Sequence, residues 1–494
     1  MEANLTEHSR TVWCSIVACT LVLLFTPLLN AQTRHTTDKP FSGGYQAAKA
    51  FKAGTLRLQP NAGITNAAPT LTCSPAPCAF TPVDASEGGS APVNEDPIAV
   101  NPTNSSQILS GGNDYNCGNI QGFFASGDGG STWTHACSPG SGGEGDPIVG
   151  YDLNNVAHAG GIQNGNVVGF TSTNNGGTWS APTTIITAKL GYLADKPWME
   201  IDDNSSSSFK NDIYVSTTQF APNSNSQIWV SHSSDGGLHW GSVAVSSLAT
   251  FPGHVNQFSD LAVGTDGTVY LNWINCPTTG AAGDCGGTVS NIMFSKSTDG
   301  GNTWSKESSV GTVTLVPDAC FCGFYGSLPN TSERVSNLPS NGAIGSGSTA
   351  KVFLAAYNWT GTQMQVEVFR SKDGGTTWSS TLVNPSSTKG DQFFQWLNVN
   401  SAGVVGVTWL DRRNDPSNLS YQPFFSQSKN NGSSYINGHA LSTKKSNPLN
   451  DGFGGSFMGD YTGNAWNGTK TLVQSYMDTT TGVSQDFVTG VLFP

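Results

Sequence analysis

The sequence predicts an all-β protein, a β-propeller of most simply seven four-stranded blades. Three observations predict it: a short phrase recurs six times, a second type of segment recurs ahead of each copy, and the composition is that of a folded, turn-rich chain. The phrase is a Ser, a gap, Asp or Asn, a gap, Gly, two residues and an aromatic. It runs Ser126–Trp133, Ser172–Trp179, Ser233–Trp240, Ser297–Trp304 and Ser371–Trp378, with a worn copy at Ser428–Tyr435. Spacings between 46 (Ser126 to Ser172) and 74 residues (Ser297 to Ser371) are those of repeated supersecondary units.

The chain carries 59 glycines in 494 residues, with 10% aromatic and only 11% charged residues. Many Gly turns beside ample aromatics indicate a β-rich folded chain and not a disordered one. The net charge of −12 argues against a nucleic-acid partner, which would require a basic face. The longest basic runs are the pairs Arg412-Arg413 and Lys444-Lys445.

The fifth copy serves as a template for one unit. Lys351–Tyr357 is a β-rich run, and Gln365–Arg370 alternates polar and apolar residues as a half-buried strand should. The phrase follows at once, on the turn leaving that strand. Its Asp is suited to accept hydrogen bonds from its own turn, Gly375 to adopt a conformation closed to other residues, and Trp378 to pack between neighbouring units. Ahead of each copy lies a strand start: Glu95-Asp96-Pro97, Gly145-Asp146-Pro147, Asp195-Lys196-Pro197-Trp198, Phe258-Ser259-Asp260, Glu333-Arg334-Val335 and Phe393-Phe394-Gln395-Trp396. A seventh, Met458-Gly459-Asp460-Tyr461, opens the C-terminal stretch.

Four strands per unit and radial repetition define a propeller. The last unit has room for only three strands, so the fourth is expected from the N-terminal side, within Leu56–Pro60 or Ala79–Asp84, closing the ring without a free edge. Six blades with an appended hairpin is the alternative, because six phrases are visible. The expected organisation is a signal peptide over 1–31, an extension over 32–90 that holds the closing strand, and the propeller over 91–494.

The N-terminal assignment rests on Arg10, the apolar run Val12–Leu29 and the small Ala31. An uncleaved anchor is the alternative and the one route to a membrane. Export makes the protein secreted or extracytoplasmic and the cysteines legible. Eight remain beyond the signal, and close spacing suggests the pairs Cys73–Cys78, Cys117–Cys137 and Cys276–Cys285. Cys320 and Cys322 are too close for an easy bridge, and zinc is the other reading for cysteines at such spacings.

The six phrases resemble the Asp-box, or BNR repeat, of sialidase-like propellers, and the resemblance covers residues 91–494. It implies a propeller whose boxes sit on turns away from the active face. It implies activity less narrowly, since such boxes occur in sialidases, other glycoside hydrolases, sorting receptors and non-enzymatic propellers. Sialidases of the family clamp a substrate carboxylate with three arginines, one from an Arg-Ile-Pro motif, and use a Tyr nucleophile with an Asp acid/base. No Arg-Ile-Pro occurs here. Arg334, Arg412 and Arg413 could form a clamp and Tyr461 could be a nucleophile, but no motif matches residue by residue, so exo-sialidase activity is not expected.

If the phrases mark one face, the strand starts gather at the other, around the channel mouth. Asp96, Asp146, Asp260 and Asp460, with Tyr461, are the catalytic candidates; Asp195, Trp198, Arg334, Trp396, Arg412 and Arg413 are the candidates for substrate binding. Clustered carboxylates have three readings: a glycosidase acid/base pair, oxygen ligands for Ca²⁺, or plain caps of the strand starts. The aromatic residues could stack on sugars or simply pack between blades. The expected function is a secreted propeller that acts on or binds a glycan or other extracellular polymer, as a glycoside hydrolase or as a non-catalytic binding protein.

Overall fold

The computed structural model describes residues 40–58, 77–189, 191–281, 283–320 and 323–493. Seven antiparallel sheets follow one another along the chain. Blade 1 runs through Ile98–Val100, Ile108–Asp114, Gly122–Ser126 and Thr134–Cys137, with Val93–Asn94 extending its first strand. Blades 2, 3 and 4 begin with the inner strands Gly143–Tyr151, Leu193–Ile201 and His254–Val263. Blades 5 and 6 begin with Ser340–Ile344 and Gln392–Val399. Blade 7 contains Gly463–Asn467, Thr471–Asp478 and Gln485–Leu492. Two short N-terminal strands pair antiparallel with its last strand: Cys78 lies opposite Leu492 and Val83 opposite Val488.

Burial follows position within a blade. Inner strands such as Gly143–Tyr151 are buried along nearly their whole length, whereas outer strands such as Gly241–Ala244 are short and largely exposed. Short, solvated outer edges discourage pairing with other chains. Apolar residues pack between adjacent blades, as where Leu109 and Phe123 of blade 1 meet Val149 and Tyr151 of blade 2. All six phrases form one turn at the exit of the third strand. The Ser hydroxyl donates to the Asp or Asn side chain at 2.7–2.9 Å and accepts the N–H of the phrase's glycine at 2.8–3.0 Å. The same Asp or Asn accepts a backbone N–H four residues on, from Thr132 in the first copy to Ser434 in the last.

Two strand starts differ from expectation. Glu333-Arg334-Val335 lies ahead of the blade 5 inner strand, held by a lone bridge between Ser327 and Arg334, because Arg334 is drawn to Asp460. Met458–Tyr461 likewise precedes the blade 7 strand, which starts at Gly463. The bridges Cys117–Cys137 and Cys276–Cys285 are present, each tying the loop between second and third strands to a strand of its blade, the fourth at Cys137 and the second at Cys276. Cys78 and Cys320 are also disulfide-bonded, while Cys73, Cys322 and the expected signal segment lie outside the described residues. No described helix is long and apolar enough to cross a membrane.

The segment after Pro40 holds an α-helix, Gly43–Lys52, where the sequence reading expected only an extension. Ser42 is its N-cap, accepting from the Tyr45 N–H, and Lys49 and Lys52 in its last turn suit the negative end of the helix dipole. Ala48 packs with Tyr115, Ile120, Phe453 and Phe457, and Phe41 lies edge-on to Phe220 of blade 3. These contacts seat the helix against the strand-start face, opposite the six repeated turns.

Candidate functional site

The site begins as a backbone irregularity. The pairing of inner with second strand slips between Gly145 and Ile148, Asp195 and Trp198, Gln257 and Asp260, and Phe393 and Trp396. At each slip one residue adopts positive φ: Asp146, Lys196, Phe258 and Phe394, with Glu95 doing the same in blade 1. Such bulges re-aim side chains, and non-glycine residues at positive φ are few enough to mark function. Here they bring Glu95, Asp146 and Lys196 into one buried group. The acidic strand starts are therefore not equivalent positions. Asp146 is the positive-φ residue of its bulge, Asp195 precedes its bulge and Asp260 follows its own.

The first turn of the helix enters this group. Ser42 donates its N–H to Asp195 Oδ2 at 2.7 Å and its hydroxyl to Asp146 Oδ2 at 3.2 Å, and Gly43 donates its N–H to Asp460 Oδ2 at 2.6 Å. The Tyr325 hydroxyl donates to the Pro40 carbonyl at 2.8 Å. A Cβ on Gly44 would lie 2.5 Å from both Asp146 Oδ1 and Glu95 Oε2, and one on Gly43 would lie 2.2 Å from the Phe457 ring. Glycine is a poor helix former, and the close approach of Gly44 to the carboxylates and of Gly43 to Phe457 accounts for the pair.

The carboxylates are spent on the chain itself. Asp195 also accepts from Gln257 Nε2, and Asp146 from the Lys196 N–H. Asp460 accepts Arg334 Nε and Nη2 at 3.0 and 2.8 Å and the Ser336 hydroxyl at 2.7 Å. Glu95 accepts from Asn113 and from the Asp460 N–H. Burial pushes Asp195 up to about 8, and Glu95 and Asp260 to about 7. Burial also raises Asp146 well above the carboxylate range.

Lys196 is the cation at the centre. Its Nζ lies 3.9 Å from the Tyr461 ring centroid and 4.5 Å from that of Trp198, without a hydrogen-bond partner, and burial lowers its pKa to about 8. Trp198 and Trp396 pack at 4.4 Å between centroids. The Tyr461 hydroxyl donates to the Pro147 carbonyl, and burial holds its pKa well above 10. All three aromatic residues are buried, so in this arrangement they pack around the ammonium and present no open face.

Other candidates lie apart or act locally. Asp96 is buried toward Asp84 and Asp486, and neither of its carboxylate oxygens has a hydrogen-bond partner. Asp260 accepts the Asn341 N–H and stays within electrostatic reach of Lys196, which favours its charged form. Arg412 donates to the Pro329 carbonyl at 2.7 Å and lies 3.7 Å from Asp391, and Arg413 pairs with Asp411 at 2.6 Å. The three arginines thus serve three separate partners and do not converge as a clamp. Cys117, His135 and Cys137 form the one metal-like cluster among the described residues, but the sulfurs are bonded to each other and His135 pairs with Asp114. Sequence reasoning placed Glu95 near the acidic strand starts without giving it a role, missed Lys196 as a site residue and did not see the Ser42–Gly44 turn at all. Lys-Pro at a strand start, and Ser-Gly-Gly ahead of an Ala-rich run, were the available signals.

Beside the helix an open cavity of about 900 Å³ lies between it and the loops of blades 2 and 3. Tyr45, Gln46, Lys49, Glu144, Asn164 and Tyr192 line it, a mixture of ring faces, amides and charges.

No family profile matches the chain, and no curated protein matches it. Among solved structures it is similar to a Hadza microbial sialidase at 16% identity and a TM-score of 0.41, over 66% of this chain and 66% of that one. It is similar to the intramolecular trans-sialidase from Ruminococcus gnavus at 13% identity, a TM-score of 0.42, and 67% and 93% of the two chains. The α-L-arabinanase of Penicillium chrysogenum gives 12% identity and a TM-score of 0.43, over 70% and 92%.

Proposed function

We propose that the protein is an exported Asp-box propeller whose strand-start face binds an extracellular glycan without hydrolysing it. The observation that carries this reading is that, with the Ser42–Gly44 turn seated, Asp146, Asp195 and Asp460 are buried and occupied as acceptors for the chain's own donors. A glycosidase needs two carboxyl groups facing each other across a space the sugar can enter. The open space lies instead beside the helix, where Tyr45 and Tyr192 offer rings and Gln46, Asn164 and Glu144 offer polar groups, the mixture that a sugar's apolar faces and hydroxyls require. The Ser–Gly hydrogen bond common to the six turns supports the Asp-box assignment, and the two disulfides agree with an oxidising compartment.

The experiment is a glycan array run beside a panel of chromogenic glycosides. Binding without turnover is the expected result. Turnover that is abolished in Asp460→Asn would instead establish a hydrolase. One observation favours that second reading: Glu95 and Asp195 hold protons near neutral pH, as a general acid must.

A further inference from the structure

We infer that Pro40–Lys52 is a displaceable plug seated in a second, deeper part of the glycan site, and that the ligand which displaces it is an uncharged, hydroxyl-rich sugar ring. This rests on the reading that the face binds glycans. The plug presents three neighbouring donors, the Ser42 N–H, the Ser42 hydroxyl and the Gly43 N–H, to three carboxylates from different blades or loops: Asp195, Asp146 and Asp460. Vicinal hydroxyls of a sugar are donors of the same kind at similar spacing. The plug also leaves hydrogen-bonding capacity unused. Lys196 Nζ is fully buried, aimed among Asp146, Asp260, Glu95 and Asp460, and has no hydrogen-bond partner. Gln257 Oε1, Asp260 Oδ1 and Asn94 Nδ2 are buried without partners too. Buried polar groups left unpaired are unfavourable, so a ligand that both donates and accepts gains where a peptide N–H cannot.

The charge selects the class of ligand. Asp146, Asp260, Glu95 and Asp460 lie around Lys196, Asp195 lies beside Asp146, and Arg334 pairs with Asp460. Arg334 is already held bidentate by Asp460. A carboxylate-bearing sugar would bring a further negative charge to five carboxyl groups and one unpaired cation, whereas a neutral one would find partners for hydroxyls that both donate and accept.

Gly44→Val tests the plug, because its side chain would collide with Asp146 and Glu95 while leaving every propeller residue unchanged. The exposed Lys49 and Lys52 report on seating through tryptic cleavage. Neutral xylo-, arabino- and galacto-oligosaccharides and sialyllactose serve as probes, with calorimetry for affinity. The expected results are faster cleavage in Gly44→Val than in wild type, cleavage of wild type accelerated by neutral oligosaccharide, and affinity for that oligosaccharide raised roughly tenfold or more in the variant, as when a competing closed state is removed. Sialyllactose should gain nothing. If the variant fails to fold, Ser42→Ala and ligand-accelerated cleavage of the wild type carry the test. Faster cleavage with unchanged affinity would overturn the plug as a competitor and leave glycan binding standing. A preference for sialyllactose would overturn the ligand class, and no binding by either protein would overturn the glycan reading itself.

Discussion

Asp195 is fully buried, accepts from Ser42 and Gln257, and has its pKa pushed from 3.8 to about 8, chiefly by burial and then by the nearby Asp146. Between those two values the folded protein holds a proton that the unfolded chain has released. Its contribution is therefore fully present below about pH 4 and is lost as pH rises through about 8, at up to ~1.4 kcal/mol per pH unit. Glu95 and Asp260, raised to about 7, act in the same direction. The expected outcome is a melting temperature that falls between pH 5 and pH 8, with a shallower fall in Asp195→Asn, measured by calorimetry across that range. An unchanged slope in the variant would refute the assignment. Asp195 and Asp146 could be named from the sequence because acidic residues at strand starts stand out. Lys196 could not, because its role depends on a bulge that turns its side chain toward Tyr461 and Trp198, and no periodicity signals a bulge.

At the scale of elements, the repeated turn is where sequence and structure meet most directly. Gly375 has φ +86°, and a Cβ there would stand 2.4 Å from the Phe294 ring of the preceding blade. Gly375→Ala should cost ~1–3 kcal/mol through strain and overpacking together. Gly129→Ala, at φ +78° with open space around it, should lose only the smaller conformational part. Urea unfolding of the two variants checks this, and equal losses would show that packing against Phe294 is not a constraint. Local chemistry explains why the turns were readable: Ser, Asp and Gly bond within eight residues. The Glu333-Arg334 start was misplaced for the opposite reason, since what positions it is Asp460, 126 residues away.

For the whole molecule, blade 7 draws strands from both ends of the chain, with Cys78–Ala79 and Val83–Asp84 beside Gln485–Leu492. If these strands close the ring, deleting residues 77–84 should uncover the ladder edge of the last strand, lower the melting temperature by several degrees and promote self-association. Calorimetry with size-exclusion chromatography checks this, and an unchanged, monomeric profile would show that the ring closes without them.

The seven-fold repetition, the four-strand unit and two of the disulfides were legible in the order of the amino acids alone. Each of these follows from short-range signals: alternation, turn chemistry and close cysteine spacing. What meets at the strand-start face was set by long-range folding. Ser42 and Gly43 reach carboxylates 104 to 417 residues away, and bulges set which side chains meet there. Such contacts arise from how blades close around an axis, a long-range geometry that no local pattern encodes.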